Sequence, residues 1–128
     1  MNLATLCMIP AAALLAACSA KEKPVVALEI GALPVMERVA LGANRCWFKA
    51  RDPAFKPYRL APELKSFTGT PRILIVKKNA PESLPLLVIQ AQGSPAKLAA
   101  FGPLMQDATI NARVNKDVNN WARGGKDC

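Results

Sequence analysis

Apolar positions repeat with helical spacing in two stretches of the chain. The first stretch runs from Pro34 to about Lys49, and Pro34 suits the first helical position because its missing N–H would be unpaired there. Its apolar stripe consists of Met36, Val39, Ala40, Ala43, Cys46 and Trp47. The second stretch begins after Asp107, which can cap a helix, and ends at about Arg123 before two glycines. Its stripe consists of Ile110, Val114, Val118 and Trp121. The spacings predict an N-terminal and a C-terminal helix, each with one buried face.

Between these helices, shorter segments have the pattern of β-strands. Residues 72–78 and 86–91 each contain an uninterrupted apolar run, and the turn residues between them predict an antiparallel hairpin. Residues 57–67 alternate weakly, and Pro62 would place them at an edge of the sheet because it lacks an N–H. Residues 95–102 fit either a short helix or a fourth strand. The strand is favoured because it would cover the free edge of its neighbour.

These elements predict a single α+β domain over residues 34–128. An antiparallel sheet of three to four strands would pack against the N-terminal and C-terminal helices, with both helices on one face. Trp47 and Trp121 lie on the apolar stripes, so we expect them in the core rather than on a ligand platform.

The N-terminal segment predicts an address rather than an activity. Its first 17 residues are mostly apolar, and the first charged residue is Lys21. This run is shorter than the roughly 20 residues of a transmembrane helix and has the length of a signal-peptide apolar region. An ordinary signal peptidase would also accept the small residues at its end.

The tetrapeptide at positions 15–18, Leu-Ala-Ala-Cys, resembles a bacterial lipobox, and the chain thereby resembles small bacterial envelope lipoproteins. The resemblance covers only the first 18 residues. It implies cleavage of residues 1–17, acylation of Cys18, and a tether over residues 18–33. Because Ser19 follows the cysteine, the resemblance implies an outer-membrane anchor facing the periplasm.

The cysteines predict one disulfide. Cys7 would leave with the signal peptide and Cys18 would be acylated, so Cys46 and Cys128 would remain in an oxidising compartment. A bond between them would close a loop of about 80 residues and tie the C-terminus to the first helix. The alternative is a free thiol or an intermolecular bridge, although no Cys-x-x-Cys motif supports redox chemistry.

The composition argues against catalysis. The chain contains no histidine, which excludes Ser-His-Asp and Cys-His mechanisms and zinc sites built on histidine. No phosphate loop or dinucleotide fingerprint occurs. We therefore predict a protein that is not an enzyme and that uses no cofactor or metal.

The formal net charge of +8 indicates what the domain could bind. An envelope location argues against nucleic acid as the partner. The sequence predicts an accessory or interaction subunit of a larger membrane-associated assembly. The alternative is a basic binding module for lipopolysaccharide, anionic lipid or peptidoglycan. An exposed apolar patch is expected at Phe55, Tyr58 and Phe67. The candidate interaction surface consists of Arg51, Phe55, Lys56, Tyr58, Arg59, Lys77 and Lys78.

Overall fold

The computed structural model describes residues 30–65, 67 and 69–128. The predicted signal peptide, Cys18 and the predicted tether up to residue 29 lie outside these residues. None of the helices described is long and apolar enough to cross a membrane.

The described residues form two α-helices and one four-stranded sheet, with α1 before the strands and α2 after them in the sequence. The elements are α1 (Ala32–Ala43), a π-helical turn (Asn44–Lys49), a first 3₁₀ turn (Pro53–Phe55), β1 (Tyr58–Glu63), β2 (Arg72–Lys77), β3 (Leu87–Gln92), β4 (Lys97–Phe101), a second 3₁₀ turn (Pro103–Gln106) and α2 (Ala108–Ala122). The sheet is antiparallel throughout, with strand order β1-β2-β3-β4. The predicted α+β architecture is confirmed, and the ambiguous segment at 95–102 contains a strand.

The helix ends follow from local capping chemistry. α1 begins at Ala32, two residues before the predicted start, so that Pro34 lies within its first turn. The side chain of Asp107 accepts a hydrogen bond from the N–H of Ile110 at 2.9 Å, which confirms it as the cap of α2. Gly124 follows α2 with a φ of 93°, a left-handed conformation that ends the helix.

One apolar core joins the two helices to one face of the sheet. α1 packs against β2 and β3, whereas α2 packs mainly against α1 and the second 3₁₀ turn. The fully buried side chains of the sheet are Ile73, Ile75, Leu87, Ile89 and Ala91, all on the same face. Val39 of α1 and Val114 of α2 belong to the same buried cluster.

The register explains the place of Pro62 in β1. The N–H of Lys78 donates to the carbonyl of Pro57 at 3.0 Å, so the hydrogen-bonded pairs between β1 and β2 continue at Arg59 and alternate residues after it. Residue 62 therefore directs its backbone groups away from β2. A proline at this position removes no bond of the ladder, as expected for an edge strand.

The two helices approach each other closely at Gly42. A Cβ on this residue would lie 2.2 Å from Cδ2 of Trp121 in α2. Trp121 is almost completely buried, and its indole N–H donates to the carbonyl of Asp127 at 3.0 Å. The absence of a side chain at position 42 therefore makes room for the indole ring between the helices.

The C-terminal tail is fastened to the end of the first helical segment. Cys46 and Cys128 form the predicted disulfide, with their Cα atoms 5.3 Å apart. The guanidinium of Arg45 donates to the carbonyl of Lys126 at 2.9 Å. Residues after α2, which would otherwise fray, are thereby held beside the π-helical turn.

We expect Gly42→Ala to lower the free energy of unfolding by about 1–3 kcal/mol, since the new methyl group overlaps a buried ring. The gain in helix propensity, at most about 1 kcal/mol, should be smaller than this cost. Urea denaturation followed by tryptophan fluorescence measures the difference. Gly31→Ala is the control, because its Cβ would meet nothing closer than 3.9 Å and the weaker N-cap of α1 should cost only about 0.5 kcal/mol. An unchanged midpoint for Gly42→Ala would show that the helices separate without cost.

Cys128→Ser should destabilise the domain by about 4–5 kcal/mol, because the lost cross-link closes a loop between residues 82 positions apart. Cys128 is exposed, so the substitution changes little packing. Urea denaturation of the variant, and of the unaltered protein in reducing buffer, should give the same midpoint. A loss below about 1 kcal/mol would contradict the loop-closure account.

Candidate functional site: a basic aromatic pocket

An open pocket of about 650 Å³ lies where the π-helical turn and the first 3₁₀ turn meet the start of β1. Four aromatic side chains line it: Trp47, Phe48, Phe55 and Tyr58. Three cationic side chains line it as well: Arg51, Lys56 and Lys78. We call this site the basic pocket. Its remaining lining residues are Asp52 and Pro53.

Five residues of the predicted interaction surface come together at the basic pocket, but Phe55 does so differently from expectation. Its side chain is 1% exposed, and its ring stacks on that of Trp47 with centroids 4.3 Å apart. The prediction of Phe55 in an exposed apolar patch is therefore wrong. The first 3₁₀ turn directs the ring inward, where burial against an indole is more favourable than exposure to water.

Two other predicted residues lie outside the basic pocket. Arg59 pairs with Val76 in the ladder, and its side chain points to the face of the sheet opposite that of Tyr58. Lys77 pairs with Tyr58 and is exposed, but it does not line the pocket. Phe67 is fully exposed and also lies outside the lining.

The charge of the basic pocket is not neutralised by the residues that the structure describes. None of Arg51, Lys56 and Lys78 forms an ion pair with a described carboxylate. Asp52, the one carboxylate in the lining, accepts hydrogen bonds from Arg113 and from the N–H of Ala54. The pocket therefore presents cationic groups whose counter-charge has to come from a ligand or from solution.

A buried ionic network holds the walls of the pocket in place. Asp117 of α2 is 3% exposed, and its carboxylate accepts from the indole N–H of Trp47 and from the Nε of Arg113, each at 2.8 Å. Arg113 also bonds to Asp52. Burial lowers the pKa of Arg113, but the hydrogen bonds to Asp117 and Asp52 outweigh this effect, so that its pKa is raised overall.

The backbone beside the pocket has an uncommon conformation. Arg51 has a φ of 54°, in the left-handed region that non-glycine residues rarely adopt, and its N–H donates to the carbonyl of Phe48 at 3.0 Å. It directly follows the π-helical turn and its capping residue Ala50. Left-handed residues and π-helical turns both occur often at functional sites.

The sequence patterns place Trp47 in the core and do not predict its place in this site. They also predict no role in the ionic network for Asp52, Arg113 and Asp117. The spacing of Arg113 and Asp117 by four residues on a helix is a readable signal of their ion pair. No sequence signal connects Trp47 with Asp117, which lie 70 residues apart. The described part of the chain contains no cluster of three or more His, Cys, Asp or Glu that could hold a metal ion.

Asp117→Ala should lower the free energy of unfolding by about 2–3 kcal/mol, since it leaves the buried indole N–H of Trp47 without its acceptor and removes one of the two carboxylates that bond to Arg113. Glu63→Ala, which breaks the half-exposed pair with Arg72, should cost less than about 1 kcal/mol. Chemical denaturation measures both. If Asp117→Ala fails to fold, Asp117→Asn keeps the shape and one acceptor and should retain a measurable transition. Equal losses of stability from the Asp117 and Glu63 substitutions would contradict the expectation that a buried carboxylate stabilises the fold more than a half-exposed one.

Comparison of the chain with protein-family models, with curated proteins and with solved structures finds no match in any of the three. What this site binds must therefore be inferred from its own side chains.

Proposed function

We propose that this protein is a non-enzymatic binding protein of the bacterial envelope, anchored by lipid at Cys18, and that the basic pocket binds an anionic group of an envelope component. The observation that supports the proposal is the set of three cations, none paired with a described carboxylate, around aromatic walls. Such a pocket suits a ligand with an anionic group joined to an apolar or sugar body.

The lining residues differ in the contacts that they can make with a ligand. Arg51 can offer two parallel N–H donors to a phosphate or a carboxylate, whereas Lys56 and Lys78 act as mobile point charges. Trp47 and Phe55 are buried and support the pocket from beneath through their stacking and the buried network. The half-buried rings of Phe48 and Tyr58 are the aromatic surface that a ligand can contact. Phosphate groups of lipopolysaccharide, anionic lipid headgroups and peptidoglycan carboxylates share this chemistry.

The proposed anchor keeps the pocket near such ligands. The segment from Cys18 to Ile30 spans at most about 40 Å when fully extended. Acyl chains bury roughly 0.8 kcal/mol per CH₂ in the bilayer, so two or three chains hold a small domain at the membrane without a spanning helix. Ser19, which follows the proposed acylated cysteine, supports placement in the outer membrane, facing the periplasm.

A second candidate function is an accessory subunit that docks on a larger envelope assembly. The observation that favours it is Leu41, which is 67% exposed beside an apolar groove at the edge of the sheet. Exposed apolar surface next to a free strand edge is typical of protein-binding surfaces.

Titration of the detergent-extracted protein with lipopolysaccharide, with phosphatidylglycerol in mixed micelles and with soluble muropeptides tests the first proposal. Calorimetry at about 50 and about 300 mM salt should show binding of at least one probe, with an affinity that falls as salt rises. The probe that binds with the highest affinity identifies the envelope component that supplies the anionic group. Binding that ignores salt would contradict the role of the cations.

A matched pair of triple variants locates the binding in the pocket. The pocket variant is Arg51→Ala, Lys56→Ala and Lys78→Ala, and the control, which removes the same charge elsewhere, is Lys97→Ala, Lys116→Ala and Arg123→Ala. We expect the pocket variant to lose about tenfold or more in affinity, equivalent to about 1.4 kcal/mol or more, and the control about twofold or less. Equal losses would show that binding follows net charge and not the pocket.

A further inference from the structure

The outer edge of β1 carries backbone groups without partners in the described chain. β1 pairs with β2 on one side, and no described strand pairs with it on the other. Because the ladder bonds to β2 are made at Arg59 and alternate residues, the outward groups are the N–H and C=O of Tyr58 and Leu60 and the C=O of Pro62. An extended polypeptide is the chemical partner that matches alternating donors and acceptors at this spacing.

An apolar groove runs beside this edge. It has a volume of about 530 Å³ and lies between α1 and β1. Its apolar lining consists of Ala40, Leu41, Leu60, Pro62 and Leu64. Leu60 and Pro62 are also residues whose backbone groups face outward, so a strand added to β1 would place alternate side chains over the groove.

The groove also has a charge that its occupant should match. Glu37 of α1 lines it and forms no ion pair with any described residue. A Lys or Arg in the occupant would meet this carboxylate. The basic pocket has the opposite charge, so the two surfaces select different ligands.

We propose that this edge groove, made of the outer edge of β1 and the apolar groove beside α1, binds an extended segment of a partner protein as an added antiparallel or parallel strand. The segment has about five or six residues, the length of β1, with apolar side chains at alternate positions and a basic residue that meets Glu37. Pro62 removes one N–H from the edge, which limits the added strand to a short register and discourages indiscriminate pairing. The inference rests on the second candidate function, for which it names the chemistry of the partner segment. It is independent of the anion-binding function, because the two surfaces share only Tyr58.

A designed peptide tests the edge groove directly. The probe is a fluorescein-labelled peptide in which valines alternate with threonines between terminal lysines, titrated against the detergent-extracted protein by fluorescence anisotropy. Leu41→Arg should raise the Kd about tenfold or more, because it places a charge in the apolar groove. Leu84→Arg is the matched control, since Leu84 is also exposed, at 87%, but lies outside the groove. It should change the Kd about twofold or less.

A second probe separates strand addition from simple apolar contact. Methylation of the peptide nitrogens that would bond to β1 keeps the side chains and removes the donors, so it should abolish binding. Equal binding of the methylated probe would overturn the proposal, as would equal effects of Leu41→Arg and Leu84→Arg. A concentration-dependent dimer in sedimentation that Leu41→Arg dissolves would assign the groove to a second copy of this chain and would also overturn it.

The two proposed functions fail independently. The triple variant of the basic pocket should bind the peptide normally, and Leu41→Arg should bind the anionic probes normally. Loss of peptide binding in the pocket variant would show that the probe binds at the basic pocket and would contradict its assignment to the edge groove.

Discussion

The buried carboxylate of Asp117 is the constraint on which the binding face depends. A carboxylate in an apolar interior costs several kcal/mol unless its oxygens are matched by donors. Here one donor is the indole of Trp47 in the π-helical turn, and the other is the guanidinium of Arg113, one turn earlier on the same helix. The bond to Asp117 holds the indole of Trp47 at one wall of the basic pocket. Arg113 forms ion pairs with both Asp117 and Asp52 and so links the two carboxylates. Asp52 in turn caps the first 3₁₀ turn through the N–H of Ala54. Helix, indole ring and turn therefore take their positions from one buried charge.

The aromatic cluster transmits this constraint to the rest of the domain. Trp47 stacks on Phe55 and contacts Trp121, with ring centroids 4.3 Å and 5.1 Å apart. Trp121 fills the space that Gly42 leaves between the helices, and the disulfide at Cys46 ties the tail to the residue next to Trp47. The pocket walls thus belong to the core, whereas its cations are exposed and free to adjust. This combination suits recognition of an anionic group whose attached body varies.

The architecture could be predicted from local patterns, whereas the site could be predicted only in part, since five of the seven predicted interaction residues line the basic pocket. The helical stripes, the central hairpin, the edge position of Pro62 and the disulfide each depend on neighbours in sequence or on the count of cysteines, and the structure confirms them. The predicted interaction surface differs from the observed pocket for two reasons. Strand alternation sends Arg59 to the opposite face of the sheet, and the turn after Asp52 buries Phe55. The first effect can be predicted, since the weak alternation of residues 57–67 already separates Arg59 from Tyr58. The second cannot, because the burial of Phe55 depends on its stacking against Trp47 in another element.

The geometry of the sheet also relates the pocket to the proposed anchor. Ile30 accepts a hydrogen bond from Ala96 at the turn between β3 and β4, which lies at the end of the sheet opposite Tyr58. If Cys18 carries lipid, the tether leaves the domain at the end farthest from the basic pocket. A domain of this size has a radius of gyration of about 13 Å, and a tether of up to about 40 Å is long enough for the pocket to face either the bilayer or the periplasm. The ligand would then select the orientation: an anionic lipid would draw the pocket down to the membrane, whereas peptidoglycan would hold it away. β1 contributes residues to both the basic pocket and the edge groove. The orientation of the pocket toward the bilayer or the periplasm therefore also determines the side from which a partner protein could reach the edge groove.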